Sequence, residues 1–342
     1  MKLWILRAVI LFVGLSVLPL ETPAPLIYRP GEGWYYEPVG GNNWVKKLPK
    51  NQLEAAQQAF EEKDFSLALK GARRTVRAWP FSDYAPQAQY LVGRCYEEKG
   101  QDERAFKEYQ KVLEKYPKIE NYDAILNRQY AIAKRFLNGQ RFKLWGRIPM
   151  FRSMDKTSQM YEKVIQNGPY SEIAPQAQLD IGTAREKQSS FLNRVDPYRE
   201  AVKAYELAAD RYHDREAVAA EALYKAGLAY LRQAKKAEYD QSVAGKAITT
   251  FSDFATLYPD DSRVPETKTI IQELRAEQAR GSFQIARFYE SLHEWDGALV
   301  YYNEVLQKDL NSQFAEEAKQ RINDLKELKE RSEKQQASSS SE

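Results

Sequence analysis

The stretch from Ala85 to Pro117 reads APQAQYLVGRCYEEKGQDERAFKEYQKVLEKYP and predicts two antiparallel helices joined by a short turn. Small and large apolar residues recur three or four apart on one face of each half. They are Val92, Gly93 and Tyr96 in the first half, and Ala105, Tyr109 and Val112 in the second. Pro117 ends the second helix, because proline has no N–H to donate and its ring clashes with the preceding turn. We therefore predict an αα-hairpin whose helices touch closely at Gly93.

The spacing within this hairpin recurs along the chain. Each hairpin has a small residue in its first helix and an Ala or Thr in its second helix. A closing residue stands twelve positions after that Ala or Thr. The sets are Ala56, Ala68 and Pro80; Gly93, Ala105 and Pro117; Ala133, Thr157 and Pro169; Gly182, Ala201 and His213; Gly227, Ala247 and Pro259; and Ala286, Ala298 and Leu310. This pattern is typical of the tetratricopeptide repeat. Residues 51–334 are therefore predicted to form an all-α tetratricopeptide-repeat superhelix, an α-solenoid of about six helical hairpins plus a C-terminal capping helix.

Both ends of the chain differ from the repeats. Residues 1–24 place Lys2 and Arg7 before an apolar run of secretory length, which indicates a signal peptide or, if it stays uncleaved, an N-terminal anchor. Residues 25–50 are rich in Pro, Gly and aromatic residues and lack a helical period. We expect an extended segment there, which either caps the first repeat or meets a partner. The serine-rich end, 335–342, is predicted to be a disordered tail.

The composition argues against several functional classes. The net charge of +3 on 342 residues is too balanced to indicate nucleic acid as a partner. With one cysteine, Cys95, and two histidines, we expect no metal site and no cofactor. The sequence contains no Ser-His-acid arrangement that we can assemble, no phosphate-binding glycine loop and no HExxH motif, so we expect no enzymatic activity. Carboxylate pairs such as Glu97-Glu98 are interpreted as solvated helical faces.

Two neighbouring first helices form one candidate site, a peptide- or partner-binding groove. It is lined by the faces that lie opposite their packing positions, on the concave surface of the solenoid. Amides, tyrosines and cations recur there at helical spacing: Gln87, Tyr90 and Arg94, then Asn127, Tyr130 and Lys134. Such side chains suit an extended peptide, since amides bond to its backbone, rings pack on its side chains and cations attract a carboxylate. The alternative is a merely solvated groove. Arg94 and Lys134 are expected to lie off the packing face.

An insertion at residues 138–154 lengthens the third hairpin. Its central part, RFKLWGRIPMFR from Arg141 to Arg152, alternates cations with large apolar residues. The candidate docking residues are Arg141, Lys143, Trp145, Arg147, Phe151 and Arg152. Either this loop folds back on the neighbouring hairpins, or it docks on a protein or makes a peripheral contact with an anionic membrane surface.

An exported chain of divergent tetratricopeptide hairpins, with a long insertion in the third, resembles the BamD-type component of the outer-membrane β-barrel assembly machinery. The matching stretches are Phe65–Pro117 and ARFYESLHEWDGALVYYNEVLQ at 286–307, and the resemblance covers about residues 50–325. It implies a non-enzymatic scaffold in the periplasm or on the periplasmic face of the outer membrane. The implied partners are barrel-assembly machinery subunits and unfolded outer-membrane protein peptides.

The sequence departs from that family in two respects. Its single cysteine, Cys95, lies inside a predicted repeat, so a lipid-bearing cysteine after the apolar run is lacking. It also predicts six hairpins where the family usually has five. The alternative function is that of another exported tetratricopeptide adaptor, one that coordinates envelope or cell-wall assembly.

Overall fold

The structure is a computed structural model, and it describes residues 26–29, 33–36, 44–144, 148–188, 196–236 and 241–339. The predicted signal peptide or anchor at 1–24 lies outside these ranges. The described helices are α1 (Pro49–Glu61), α2 (Phe65–Ala78), α3 (Ala85–Glu98), α4 (Asp102–Lys115), α5 (Tyr122–Leu137), α6 (Met154–Asn167), α7 (Ala174–Glu186), α8 (Pro197–Arg211), α9 (Glu216–Lys236), α10 (Gln241–Leu257), α11 (Val264–Ser291), α12 (Trp295–Lys308) and α13 (Ala315–Ser339). The strands form two antiparallel hairpins, β1 (Leu26–Arg29) with β2 (Gly33–Tyr36), and β3 (Phe142–Leu144) with β4 (Ile148–Phe151).

Within the part of the chain that the structure describes, consecutive helices form six hairpins, from α1–α2 to α11–α12, and α13 packs on the last of them. Ala318, Ile322 and Leu325 on α13 are buried against this sixth hairpin. They are three or four residues apart, which places them on one face of the helix. The predicted all-α tetratricopeptide-repeat fold with a C-terminal capping helix is therefore confirmed.

Each second helix ends two residues before the residue predicted to close its hairpin. The last helical residues are Ala78, Lys115, Asn167, Arg211, Leu257 and Lys308. Proline disfavours a helical conformation in the residue before it, which explains the four hairpins closed by proline. His213 and Leu310 close the other two hairpins at the same position without that constraint.

The chain divides into two compact units, Met1–Ala88 and Gln89–Glu342. In the first unit, a Cβ atom added to Gly71 on α2 would lie 2.9 Å from that of Ala56 on α1, so these helices touch closely. The carboxylate of Asp64 caps α2 by accepting bonds from two backbone amides at 2.9 and 3.2 Å. Gln52 on α1 is fully buried and donates to the carbonyl of Trp44 at 2.8 Å, which ties the segment before α1 to that helix.

In the second unit, small residues on the first helices lie under aromatic rings of the second helices. A Cβ atom added to Gly93 would overlap the ring of Tyr109, which is fully buried. The same contact joins Gly182 to Tyr205 and Gly227 to Phe251. Close helix approach at Gly93, predicted from the sequence, is thus a repeated feature.

Two segments differ from their sequence-based predictions. The insertion is not an irregular loop, because β3 and β4 pair within it, with a register shift between Phe142 and Lys143. Its alternation of apolar and charged residues has the period of a strand. At the other end, α13 continues to Ser339, beyond the predicted boundary at 334. Lys, Glu, Gln and Arg dominate residues 326–336, and all four favour a helix.

Candidate protein-binding surfaces

The residues predicted to line a groove are divided between the two units. Gln87 is exposed and belongs to the first unit. The other five belong to the second unit: Tyr90 and Arg94 on α3, and Asn127, Tyr130 and Lys134 on α5. Arg94 lies 3.8 Å from Glu98 one turn further along α3, and its side chain is 26% exposed.

Arg128 on α5 links Tyr90 to the rest of α3. Its Nε donates to the Tyr90 hydroxyl at 3.0 Å, and a terminal nitrogen donates to the Glu97 carboxylate at 3.2 Å. The ring of Tyr90 also lies 5.8 Å from that of Tyr109, centroid to centroid. Tyr90 is therefore held in one orientation on this face by contacts on both its ring and its hydroxyl.

Glu97 is at the centre of this network, and interpreting it as part of a solvated face is wrong. Its side chain is only 14% exposed. It accepts bonds from the Tyr109 hydroxyl at 2.6 Å and from Arg135 at 3.1 Å, and Arg135 also donates to Asp102. Burial acts to raise the pKa of the Glu97 carboxyl, but the bonds from Tyr109 and Arg135 outweigh it and lower that pKa. Glu97 is therefore a charged group that joins three helices.

Lys134 and Tyr130 both contact one buried carboxylate, that of Asp180 on α7. Lys134 Nζ donates to it at 3.0 and 3.1 Å, and the Tyr130 hydroxyl donates at 2.9 Å. The Asp180 side chain is only 6% exposed, whereas that of Lys134 is 40% exposed. The expectation that Lys134 lies off the packing face is therefore wrong, since its ammonium group neutralises a buried charge. The helix spacing in the sequence did not single out Asp180.

Asn127 lines a separate cleft of about 580 Å³ at the loop after α6. Tyr170 in that loop is 94% exposed, and Asp123 and Glu172 also line the cleft. The structure thus places the five groove residues of the second unit in three environments: a held tyrosine with a nearby cation, an ion pair with a buried carboxylate, and an open acidic cleft.

The insertion is fixed to the protein on one side. Phe142 is 4% exposed, and its ring stacks on that of Phe136 with centroids 4.2 Å apart. The backbone N–H of Lys143 donates to Glu103 at 2.6 Å, and Arg152 donates to the carbonyl of Gly139 at 3.1 Å. Part of the insertion therefore packs on the neighbouring hairpins.

The other side of the insertion is open. Ile148, Met150 and Phe151 on β4 are 53%, 51% and 42% exposed, and Arg141 and Arg152 are exposed as well. The predicted docking residues Trp145 and Arg147 lie outside the described residues. Within the described helices, none is both long and apolar enough to span a membrane.

Among solved structures, similar chains are tetratricopeptide-repeat proteins with low sequence identity. The C-terminal part of a tetratricopeptide repeat-containing protein from Cytophaga hutchinsonii is 15% identical, with 79% of this chain and 87% of that one covered and a TM-score of 0.35. MamA from Desulfovibrio magneticus RS-1 is 15% identical, with 64% and 98% covered and a TM-score of 0.32. A tetratricopeptide repeat protein from Parabacteroides merdae is 11% identical, with 80% and 98% covered and a TM-score of 0.31. No curated protein matches the chain.

Two family models match the sequence. The tetratricopeptide repeat model matches residues 87–118, which is the hairpin formed by α3 and α4. The outer membrane lipoprotein model matches residues 151–309, from the end of the insertion to the end of α12. Together these matches confirm the resemblance drawn from the sequence, namely that the chain is similar to tetratricopeptide-repeat outer membrane lipoproteins of the BamD type.

Proposed function

We propose that this protein is a non-enzymatic scaffold at the periplasmic face of the outer membrane, which helps to assemble and insert β-barrel proteins. The observation that carries this proposal is the outer membrane lipoprotein match over residues 151–309, which spans four of the six hairpins in whole or in part. Tetratricopeptide-repeat proteins mediate contacts between proteins, so the chain is an adaptor in the broader sense. The more specific role in barrel assembly is the proposal.

The first-helix face around Tyr90 and Arg94 is the proposed site for the unfolded substrate. Tyr90 offers a ring held by Arg128, and Arg94 offers a cation one turn away on the same helix. A peptide that ends in an aromatic residue with a free carboxylate would suit both groups, by ring packing and a charge-assisted bond. Lys134 is a poor candidate for that carboxylate, because Asp180 already accepts two bonds from its ammonium group.

A peptide titration tests this assignment. The probe is a fluorescent peptide with the alternating pattern of a barrel strand, ending in phenylalanine with a free carboxylate. Its matched control is the same peptide with an amidated end. We expect amidation of the peptide and Arg94→Glu in the protein each to weaken binding about tenfold, since each removes the same charge pair. Arg275→Glu, an exposed position on α11, is the matched charge change and should leave the affinity unaltered.

Equal affinities for the two peptides would contradict the proposal that the groove binds the unfolded substrate. They would not bear on the scaffold role. That role is tested by cross-linking in intact cells followed by purification from the envelope. Recovery of barrel-assembly subunits supports the proposal. Recovery of cell-wall or other envelope-assembly proteins in their place would instead favour the alternative adaptor function, and recovery of the protein only from the cytosol would exclude both.

A further inference from the structure

A second surface lies on the second helices of the second and third hairpins, α4 and α6. A cleft of about 460 Å³ runs between these helices beside the β3–β4 hairpin. Phe106 from α4, Met160 from α6 and Phe142 from β3 form its apolar lining. The residues proposed to bind unfolded substrate lie on first helices, so this cleft is a different site.

Phe142 connects the cleft to the exposed face of the β-hairpin. Its ring lines the cleft, stacks inward on Phe136 and lies 6.0 Å from the ring of Phe151, centroid to centroid. Lys156 Nζ lies over both of the hairpin rings, 5.2 Å from the centroid of Phe142 and 4.9 Å from that of Phe151. Because Phe142 is fixed by the core, the exposed Ile148 and Met150 side chains belong to a positioned apolar surface next to the cleft.

The charge around this surface is positive. Lys107, Lys156 and Lys163 line the cleft, and none of them forms an ion pair with a carboxylate within the described residues. The two carboxylates of the lining have other partners. Glu162 pairs with Arg185 at 3.5 Å, and Glu103 accepts from the backbone N–H of Lys143 at 2.6 Å. An occupant with carboxylates beside its apolar side chains would therefore complement the site.

The shape of the cleft between α4 and α6 favours a helix as its occupant. A concave cleft between two helices accepts side chains that project from one face of a partner helix, with anchors three or four residues apart. A bilayer surface could contact the exposed hairpin but would not fill the cleft. Strand addition is disfavoured because Pro149 in the middle of β4 has no N–H for a new ladder.

We propose that this cleft, together with the Ile148 and Met150 face of the hairpin, docks an acidic amphipathic helix of a partner protein. Apolar side chains of that helix enter between Phe106, Phe142 and Met160, and its carboxylates meet the three lysines. This docking site goes beyond the scaffold role proposed above and does not depend on the first-helix groove.

The test uses the full chain and a labelled amphipathic peptide of about 18 residues, with leucines along one face and glutamates flanking them. A second peptide carries lysines in place of the glutamates. We expect the acidic peptide to bind at least about tenfold more tightly than the basic one. The double variant Lys107→Glu with Lys163→Glu should reverse that preference. Lys246→Glu with Lys268→Glu, which makes the same charge change at exposed positions on α10 and α11, should not.

A third variant addresses the apolar part of the surface. Ile148→Ser with Met150→Ser changes only exposed side chains, so circular dichroism should be unaltered while the affinity for the acidic peptide falls. Three results would each overturn the proposal: equal affinity for the two peptides, an equal loss in the Lys246/Lys268 control, or no binding of the acidic peptide by the wild-type chain. Sedimentation with mixed phosphatidylcholine and phosphatidylglycerol vesicles completes the test. Vesicle binding that is lost in the Ile148/Met150 variant, without peptide binding, would replace the proposal with a membrane contact.

Discussion

The hydroxyl of Tyr109 donates a 2.6 Å hydrogen bond to the carboxylate of Glu97, which lies four residues after Gly93 on the preceding helix. The same bond recurs at 2.6 Å between Tyr302 and Glu290 in the sixth hairpin. Glu290 also lies four residues after the small residue of its hairpin. The pair therefore fixes the second helix against the first at a constant position, beside the close contact at the small residue.

The fifth hairpin has neither member of this pair. Leu231 stands four residues after Gly227, and the ring over Gly227 belongs to Phe251, which has no hydroxyl. An acid and a hydroxyl thus occur together in the second and sixth hairpins and are both absent in the fifth. The third hairpin keeps the hydroxyl, on the buried Tyr161, but has Leu137 in place of the acid, so the pair is not common to all hairpins.

Tyr109→Phe should lower the free energy of unfolding by about 1–3 kcal/mol, because it leaves a half-buried carboxylate without one of its donors. Urea unfolding measures the loss, and a double-mutant cycle with Glu97→Gln isolates the pair. Phe251→Tyr is the converse variant, since it adds a hydroxyl beside Leu231, and it should also destabilise. If Tyr109→Phe and the wild type unfold at the same urea concentration, the Glu97 bond contributes nothing to stability.

The free energy of unfolding should fall at acidic pH, because the carboxylates of Glu97 and Asp261 become protonated. The pKa of Glu97 is lowered from its ordinary value of 4.5, as burial is outweighed by the bonds from Tyr109 and Arg135. A hydrogen bond from Arg263 lowers the pKa of Asp261 from 3.8 to about 2. A carboxyl whose pKa is lower in the folded chain than in the unfolded chain stabilises the fold. This stabilisation is complete when the pH is above the ordinary, unfolded pKa, and it is lost as the pH falls through the folded pKa.

The measurement is the urea midpoint as a function of pH from 6 down to about 2. Glu97→Gln should flatten the decline that begins below 4.5, and Asp261→Asn should flatten the part between 3.8 and about 2. A variant whose midpoint declines in parallel with that of the wild type would show that its carboxylate is not linked to folding.

Gly93→Val should destabilise the second hairpin by about 1–3 kcal/mol, because any added Cβ overlaps the ring of the fully buried Tyr109. Gly245→Ala is the matched control in the interior of α10. The nearest atom to its new Cβ would be 3.8 Å away, so better helix propensity should stabilise it by about 0.5–1 kcal/mol. Thermal unfolding distinguishes the two, and a Gly93→Val midpoint equal to that of the wild type would contradict the close helix contact.

The spacing in the sequence was enough to predict the hairpins and their ends, because each repeat buries the same face against its neighbours. It was not enough for Glu97, whose partners lie on the other helix of its own hairpin and on the first helix of the next one. A signal was nevertheless present, since Glu follows the small residue by four in hairpins with Tyr109, Tyr205 and Tyr302. Asp180 offered no such signal, because its partners Tyr130 and Lys134 lie in the preceding repeat and only the stacking of the repeats brings them together.

Lys63→Gly and His293→Gly should each stabilise the protein by about 1 kcal/mol. Both residues occupy the turn between the two helices of a hairpin with positive φ, 63° for Lys63 and 61° for His293, where a side chain is strained. Gly100 holds the corresponding turn of the second hairpin at φ 63°, so Gly100→Ala is the reverse control and should destabilise. A lower thermal midpoint for Lys63→Gly would mean that its side chain contributes more than the strain costs.

Lys134→Glu should destabilise the fold by about 2 kcal/mol or more, because it removes two donors from the buried Asp180 carboxylate and adds a like charge beside it. Lys134→Gln keeps a donor and should lose less. Adding Asp180→Asn to Lys134→Glu removes the repulsion, so the double variant should recover part of the stability that Lys134→Glu loses. Urea unfolding and peptide affinity are measured on the same variants. Both are needed, because a partly unfolded variant would bind the peptide more weakly whether or not Lys134 contacts it. If Lys134→Glu unfolds like the wild type, then the Asp180 pair does not hold α5 to α7, and Lys134 again becomes a candidate for the peptide carboxylate beside Arg94.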